Sequence, residues 1–224
     1  MEEIYSVIEK CSLFDGITES EFKGMLGCLG ARIMEIKKGQ PILREGDPVS
    51  QIGVILSGSV HIVREDYYGI RSVLSYIGPA QIFGEAYAFS QAQALPVSVL
   101  PDRDGKVLML DSRRIASCCS NACSFHNRMI FNLLRLVSNK SLMLHQKIEV
   151  TSKRTTRQKL MTYLTYQAKL KNSNSFTIPF DRQALADYLE VDRSGLSAQI
   201  SILRKEGILE SEKNYFCLLK PEAE

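Results

Sequence analysis

From Ser112 to Ile178 the chain contains neither glycine nor proline, so a long run of backbone carries no strong helix breaker. Inside that run Ile130, Leu134, Val137, Ser141, Leu144 and Ile148 succeed one another at steps of four and three. Such a repeat lays one apolar stripe along a helix, the pattern of a helix that packs lengthwise against another. Leu133, Leu136, Met143 and Val150 form a second row. One row can cover the home domain while the other meets a second copy of the chain. The alternative is a core helix packed wholly within its own domain. The first row is taken as the expected homodimer interface, with small Ser141 marking a point of close approach.

The segment before this helix has a different period. Residues 4–29 place apolar side chains at helical spacing, with Ser20-Glu21 as the start of a second short helix. From about Arg32 to Leu110 the pattern becomes short apolar runs: 53–56, 59–63, 72–77 and 106–110. Gly39, Gly46, Gly58, Gly69 and Gly78 punctuate them as turns punctuate successive antiparallel strands. Glu45-Gly46-Asp47 and Leu56-Ser57-Gly58-Ser59 read as tight turns in which glycine supplies a positive φ. The expectation is a small β-sandwich or roll, closed by an N-cap at Asp111-Ser112.

Beyond the seam, Thr151-Ser152 and the basic run Lys153-Arg154-Thr155-Thr156-Arg157 read as an interdomain hinge. Leu160, Tyr163, Leu164 and Ala168 predict an amphipathic helix, 171–175 a loop, and 176–180 a short strand. Asp181 can cap a helix whose inner face is Leu185, Ala186 and Leu189. Asp192 can cap the next, with Leu196, Ile200 and Leu203 buried. The opposite face carries Arg193, Ser194, Ser197, Ala198 and Ser201, short side chains that fit a DNA major groove. Arg193 is able to bond a guanine edge or a phosphate. Gly207 stops this helix, and 208–210 with 215–217 predict a hairpin across 211–214. That is the wing of a winged helix, with Lys213 placed to meet phosphate.

Charge is divided unevenly. Residues 1–150 hold 16 Lys+Arg and 16 Asp+Glu, so the net +3 of the chain lies entirely in the last third, where 12 oppose 9. A polyanion-binding module on a neutral body follows naturally. The N-terminus has acids where a signal peptide has bases, and no apolar run reaches the roughly 18 residues of a membrane span. A cytoplasmic protein with reduced thiols, and no membrane partner, is expected. No nucleophile–base arrangement, P-loop or GxGxxG is present, and the three histidines are scattered. An enzyme is therefore not expected. Cys118-Cys119, Cys123 and His126 form the one cluster with metal potential. On a helix Cys119, Cys123 and His126 would share a face, where they could hold zinc or iron or act as a thiol switch. The simpler reading is small apolar thiols packed at a helix start, and no metal or other cofactor is expected.

In order, these features resemble the Crp/Fnr superfamily, the regulators related to the cyclic-AMP receptor protein, over nearly the whole chain. Lys38-Gly39-Gln40-Pro41-Ile42, Glu45-Gly46-Asp47 and Leu56-Ser57-Gly58-Ser59-Val60 look like its sensor-roll signature. Phe83-Gly84-Glu85-Ala86-Tyr87-Ala88-Phe89 looks like the start of its phosphate-binding cassette, and Arg193-Ser194-Gly195-Leu196-Ser197 sits where members carry their recognition helix. The resemblance implies an α+β chain. Its parts are a cyclic-nucleotide-binding-like β-roll with N-terminal helices over 1–112, a dimerisation helix over 113–150, and a winged helix-turn-helix over 151–224. It implies a homodimer on double-stranded operator DNA, with RNA polymerase as a further partner and a small-molecule effector.

The resemblance also breaks at defined places. Gly84, Glu85 and Ala86 match the segment that cradles a cyclic nucleotide, but the arginine and hydroxyl that should grip its phosphate fall on Leu95 and Pro96. The adenine-contacting hydroxyls of the dimer helix fall on Leu142 and Met143. A phosphate without a cation is strongly disfavoured when buried, so the effector is expected not to be cyclic AMP. An iron–sulfur branch of the family uses an N-terminal cysteine group, whereas this chain offers only the distant Cys11 and Cys28. Glu190 replaces the glycine of the helix-turn-helix turn. Ser194 and Ala198 stand where many members have a base-reading glutamate and arginine.

Overall fold

A computed structural model of the chain describes residues 2–68, 71–90, 92–117 and 123–219. It divides into two compact units, Met1–Ser138 and Asn139–Glu224.

In the first unit the apolar runs build one antiparallel sheet. Its strands are β1 (Arg32–Ile36), β2 (Gln51–Glu65), β3 (Arg71–Ile77), β4 (Ile82–Phe83) and β5 (Ser98–Asp111). Their order is β1-β5-β2-β3, with β4 also paired to β2. Both faces of the two long strands are covered. Ile52, Val54, Leu56, Leu108 and Leu110 enter one core, while Ile55, Val60, Val107 and Met109 enter another with Ile36, Phe83 and Val99. A strand buried on both sides has no polar face to alternate with, which explains the uninterrupted buried runs at 53–56 and 107–110.

The expected turn at Leu56–Ser59 is not a turn. Gly58 does have φ +78°, but it lies inside the continuous strand β2, where the register against β5 shifts at Ser57 and Ser59. A Cβ on Gly58 would come within 2.7 Å of the Asp104 carbonyl oxygen. The sequence signal was the same, because a bulge and a turn both demand a positive-φ residue. Glu45 and Gly46, by contrast, do form a turn, with Gly46 at φ +90°.

Helices α1 (Glu2–Ile8) and α2 (Glu19–Met25) flank a short 3-10 turn at Ser12–Phe14, and Phe14, Phe22 and Met25 pack beneath the sheet. The start of α2 is Thr18 rather than Ser20: Thr18 and Glu21 exchange the reciprocal bonds of a capping box. Asp111 caps α4 (Ser112–Ala116), accepting from the Arg113 and Arg114 amides. Helix α5 runs unbroken over Ser124–Thr151. The inner face of its first half is fastened to the first unit. Met129 and Leu133 enter the core, the Asn132 amide donates to the carbonyls of Leu13 (3.2 Å) and Asp15 (2.8 Å), and Arg135 pairs with Asp15 at 2.6 Å.

In the second unit α6 (Thr156–Lys171) is capped by Thr155. It packs over α7 (Arg182–Leu189), α8 (Arg193–Lys205) and a three-stranded sheet of β6 (Ser175–Thr177), β7 (Leu209–Glu212) and β8 (Tyr215–Leu218), in the order β6-β8-β7. Val150, Leu160, Tyr163, Leu185, Leu189, Leu196, Leu203 and Phe216 form its core. Two boundaries differ from expectation. Strand β6 ends at Thr177, so Ile178-Pro179-Phe180 lies outside it, proline having no N–H to give a ladder. The wing closes through the two residues Lys213 and Asn214 rather than across 211–214. No described helix is long and apolar enough to cross a membrane.

Candidate functional site

Helix α8 begins where its sequence dictates. The Asp192 carboxylate accepts from the Gly195 amide and from the Ser194 hydroxyl, both at 2.6 Å. These two bonds, the hydroxyl first, hold the Asp192 carboxyl below its ordinary range. A Cβ at Gly195 would lie 2.6 Å from the capping carboxylate, which would have to shift to admit it. Leu196, Ile200 and Leu203 are buried, whereas Arg193, Ser194, Ser197, Ala198 and Ser201 are exposed on the other side. The Ser201 hydroxyl donates to the Ser197 carbonyl at 3.0 Å. Ser194 and Ser201 have thus committed their single hydrogens internally, and towards a ligand they present lone pairs. Arg193 is the exposed donor at the helix start.

Between α8 and the wing lies a groove of about 700 Å³, lined by Arg182, Ser197, Ser201, Arg204, Glu210, Glu212, Lys213 and Tyr215. Lys213 occupies the wing tip with φ +50°. Sequence reasoning missed Arg182. Its guanidinium sits 5.7 Å over the Phe216 ring and gives one bond to the Lys213 carbonyl (3.3 Å), while its Nη1 is buried with no protein partner. Arg182 borders the groove as a planar cation, beside Arg204 and Lys213 and the carboxylates of Glu210 and Glu212. A signal existed: Arg182 is the first residue of α7, an end of the helix where the dipole disfavours a cation.

The turn between α7 and α8 is held at Glu190, which adopts φ +53°, ψ +54°. That is the left-handed conformation the missing glycine would have taken. Lys147 of α5 donates to the Tyr188 carbonyl, lies 3.3 Å from the Glu190 carboxylate and stands 4.6 Å over the Tyr188 ring. Lys159 of α6 donates to the carbonyls of Leu189 (3.1 Å) and Glu190 (3.3 Å).

The expected effector residues are only partly brought together. Gly84, at φ +85°, caps the short helix α3 (Glu85–Ala88), whose Glu85 is buried and Ala86 exposed. Gly84 and the buried Leu95 line one depression with Leu43, Pro48, Val49, Ser50 and Gln51, and its volume is about 30 Å³. Pro96 is exposed and is not part of the lining. Leu142 and Met143 belong to the second unit and are exposed.

Along α5, Leu134, Val137, Leu144 and Ile148 are exposed, at 62%, 43%, 63% and 64%; Ser141 is also exposed and Ile130 half-buried. Of the second row, Leu133 and Val150 are buried and Leu136 half-buried as expected. Met143 is not: it joins Phe131 and Leu142 in widening the exposed apolar surface. Cys118 and Cys119 lie outside the described residues. Cys123 immediately precedes α5 rather than lying within it, so no helix joins it to His126 in the expected three-residue face. The His126 Nε2 is 2.9 Å from the Ile115 carbonyl.

Two family models match the chain: a cyclic nucleotide-binding domain over residues 33–122 and a Crp-like helix-turn-helix domain over 158–223. The transcriptional activator protein FnrA of Stutzerimonas stutzeri is 20% identical over 182 residues, 79% of this chain and 72% of that protein. The anaerobic regulatory protein of Pasteurella multocida is 21% identical over 201 residues, 82% and 67% of the two chains. Among solved structures, that of DNR from Pseudomonas aeruginosa superposes with a TM-score of 0.50 at 18% identity, covering 97% of this chain and 94% of that one.

Proposed function

This chain belongs to the Crp/Fnr superfamily of transcription regulators, and from that premise we propose a cytoplasmic homodimer that reads operator DNA through α8 and responds to something other than cyclic AMP. It is a DNA-binding regulator with a helix-turn-helix, not an enzyme. The observation that carries the proposal is the capped helix α8, with its polar face exposed beside the groove of Arg182, Arg204 and Lys213. Arg193 is assigned to direct readout. Asp192, Ser194, Ser197, Ala198 and Ser201 are assigned to the groove surface, and Arg182 and Lys213 to phosphates.

The dimer is proposed to form along Ile130, Leu134, Val137, Ser141, Leu144 and Ile148. Leucine and isoleucine left mostly exposed at heptad spacing support this reading, because pairing with a second copy would take them out of water. Two recognition helices related by a two-fold axis would then meet successive major grooves about 34 Å apart. The hinge expected at residues 151–156 falls inside the second unit, whose core takes Val150 and whose Tyr188 carbonyl is bonded by Lys147 of α5, so a change in how two α5 helices pair is the proposed means by which the sensor adjusts that spacing. RNA polymerase is the proposed protein partner on DNA.

The effector proposal rests on the depression at Gly84 and Leu95. A space of about 30 Å³ holds one water rather than a ligand, whose pockets run to several hundred Å³. Buried Leu95 offers it no charge. The depression is therefore proposed to need either a small apolar effector with opening of the roll, or none. The reading is tested by selecting bound duplexes from a random-sequence library with the full chain. A two-fold-symmetric consensus is expected; failure to enrich any sequence would overturn the DNA assignment.

A further inference from the structure

The first helix of the helix-turn-helix ends with three successive carbonyls, those of Tyr188, Leu189 and Glu190, all held by ammonium groups from other helices. Lys159 of α6 takes two and Lys147 of α5 takes the third. Carbonyls at a helix C-terminus have no partner within the helix and carry its partial negative charge, so cations there satisfy both needs at once. Lys147 does more than cap. Its ammonium is 3.3 Å from the carboxylate of Glu190, the residue that bends the chain into α8, and 4.6 Å over the ring of Tyr188. That ring is in turn stacked on Phe180 at 5.0 Å and packed against Tyr163 at 5.2 Å.

We propose that Lys147 is a positioning residue for DNA reading: it ties the turn before the recognition helix to α5, one residue from the exposed seam position Ile148. The proposal rests on the DNA-binding reading above. Glu190 fits this role better than glycine would. Its left-handed backbone is strained for a residue with a side chain, yet its carboxylate gives the Lys147 ammonium a fixed partner, which glycine cannot. The bends of α7 into α8 and the seam-bearing helix are thus joined through one side chain. Lys147 itself need not touch the nucleic acid.

The test uses the full-length protein and a fluorescent duplex carrying the tightest sequence that the wild-type chain selects from a random library. Lys147→Met keeps the alkyl stem against Tyr188 and removes the charge. It is expected to weaken that duplex about tenfold, to leave a scrambled duplex within about twofold, and to leave the slope of log affinity against log salt unchanged. Lys147→Arg is expected to recover most of the loss, a recovery that simple loss of packing would not show. A slope reduced by about one phosphate would make Lys147 a DNA contact and overturn the proposal, as would wild-type binding by Lys147→Met. If Lys147→Met does not fold, Glu190→Gln carries the test. Removing the carboxylate charge is expected to cost two- to threefold in affinity for the selected duplex alone, and no change overturns the proposal. A wild-type chain that selects no sequence would instead remove the DNA-binding reading itself.

Discussion

Replacing Leu144 by aspartate separates a seam residue from a core residue. Burying a leucine fully is worth about 1.5–3 kcal/mol. Leu144 is 63% exposed in the single chain, so roughly 1–2 kcal/mol of that remains to be gained on association. A two-fold interface uses the residue twice, giving about 2–4 kcal/mol per dimer. Two aspartates brought together near the axis add the cost of desolvating like charges, several kcal/mol if water is excluded. A loss of at least about 4 kcal/mol, roughly a thousandfold in dissociation constant, is the expected outcome. Sedimentation equilibrium across micromolar concentrations reads it directly. The same exposure implies that Leu144→Asp leaves the chain folded, with a melting curve close to wild type at high dilution. Leu133→Asp is the control: it is buried in the first unit's core beside Met129, and it should unfold that unit rather than dissociate a folded pair. A Leu144→Asp protein that sediments as wild type, or a wild-type chain that is itself monomeric, would refute the reasoning.

Arg182→Ala should weaken every duplex alike and lower the slope of log affinity against log salt by about one, the mark of a lost phosphate contact. Asp192→Ala should lower the thermal or urea midpoint of the second unit, since it removes a helix N-cap. Because the folded Asp192 carboxyl is depressed, the cap's contribution is present above the ordinary aspartate range and is lost as pH falls through the lower folded value. Circular dichroism of wild type and Asp192→Ala should therefore converge only below the ordinary aspartate range. Cyclic AMP should give no heat in calorimetry with the wild-type chain, and tight binding abolished by Glu85→Ala would be the contrary result. Glu210→Gln with Glu212→Gln should raise affinity for scrambled DNA while narrowing its gap to the selected duplex, measured by fluorescence anisotropy.

Much of the second unit was legible because its signals are local. Asp181 and Asp192 cap the helices they precede, and Leu185, Ala186, Leu189, Leu196, Ile200 and Leu203 are all buried. Caps and a period of 3.6 depend only on residues within a few positions. The sensor sheet was legible as strands but not as connections. Gly58 announces a positive φ, yet only the pairing of β2 with β5, set by residues some fifty positions apart, decides that it is a bulge. The same limit hid Arg182, whose unspent donor exists because Phe216 and the wing bury it. Met143 was misplaced for a related reason. Heptad arithmetic gives a face, and what covers that face depends on where the neighbouring elements end.

The groove between α8 and the wing, if it faces DNA as proposed, sets a limit on how such a regulator can work. Its cations Arg182, Arg204 and Lys213 are interleaved with Glu210 and Glu212, which alternate outward on strand β7. Carboxylates facing a phosphate backbone oppose the counterion-release gain that drives non-specific binding. Base edges can then supply a share of the affinity, where a glutamate can accept from cytosine and Arg193 can donate to guanine. Ser194 and Ser201, with their hydrogens already given to Asp192 and the Ser197 carbonyl, add acceptors rather than donors. A surface whose cations are interleaved with acceptors favours selectivity over tightness, so small errors in helix placement are costly. That is the setting in which an ammonium clamp on the preceding turn matters. Lys147 and Lys159 hold the end of α7 and Glu190 where α8 must begin.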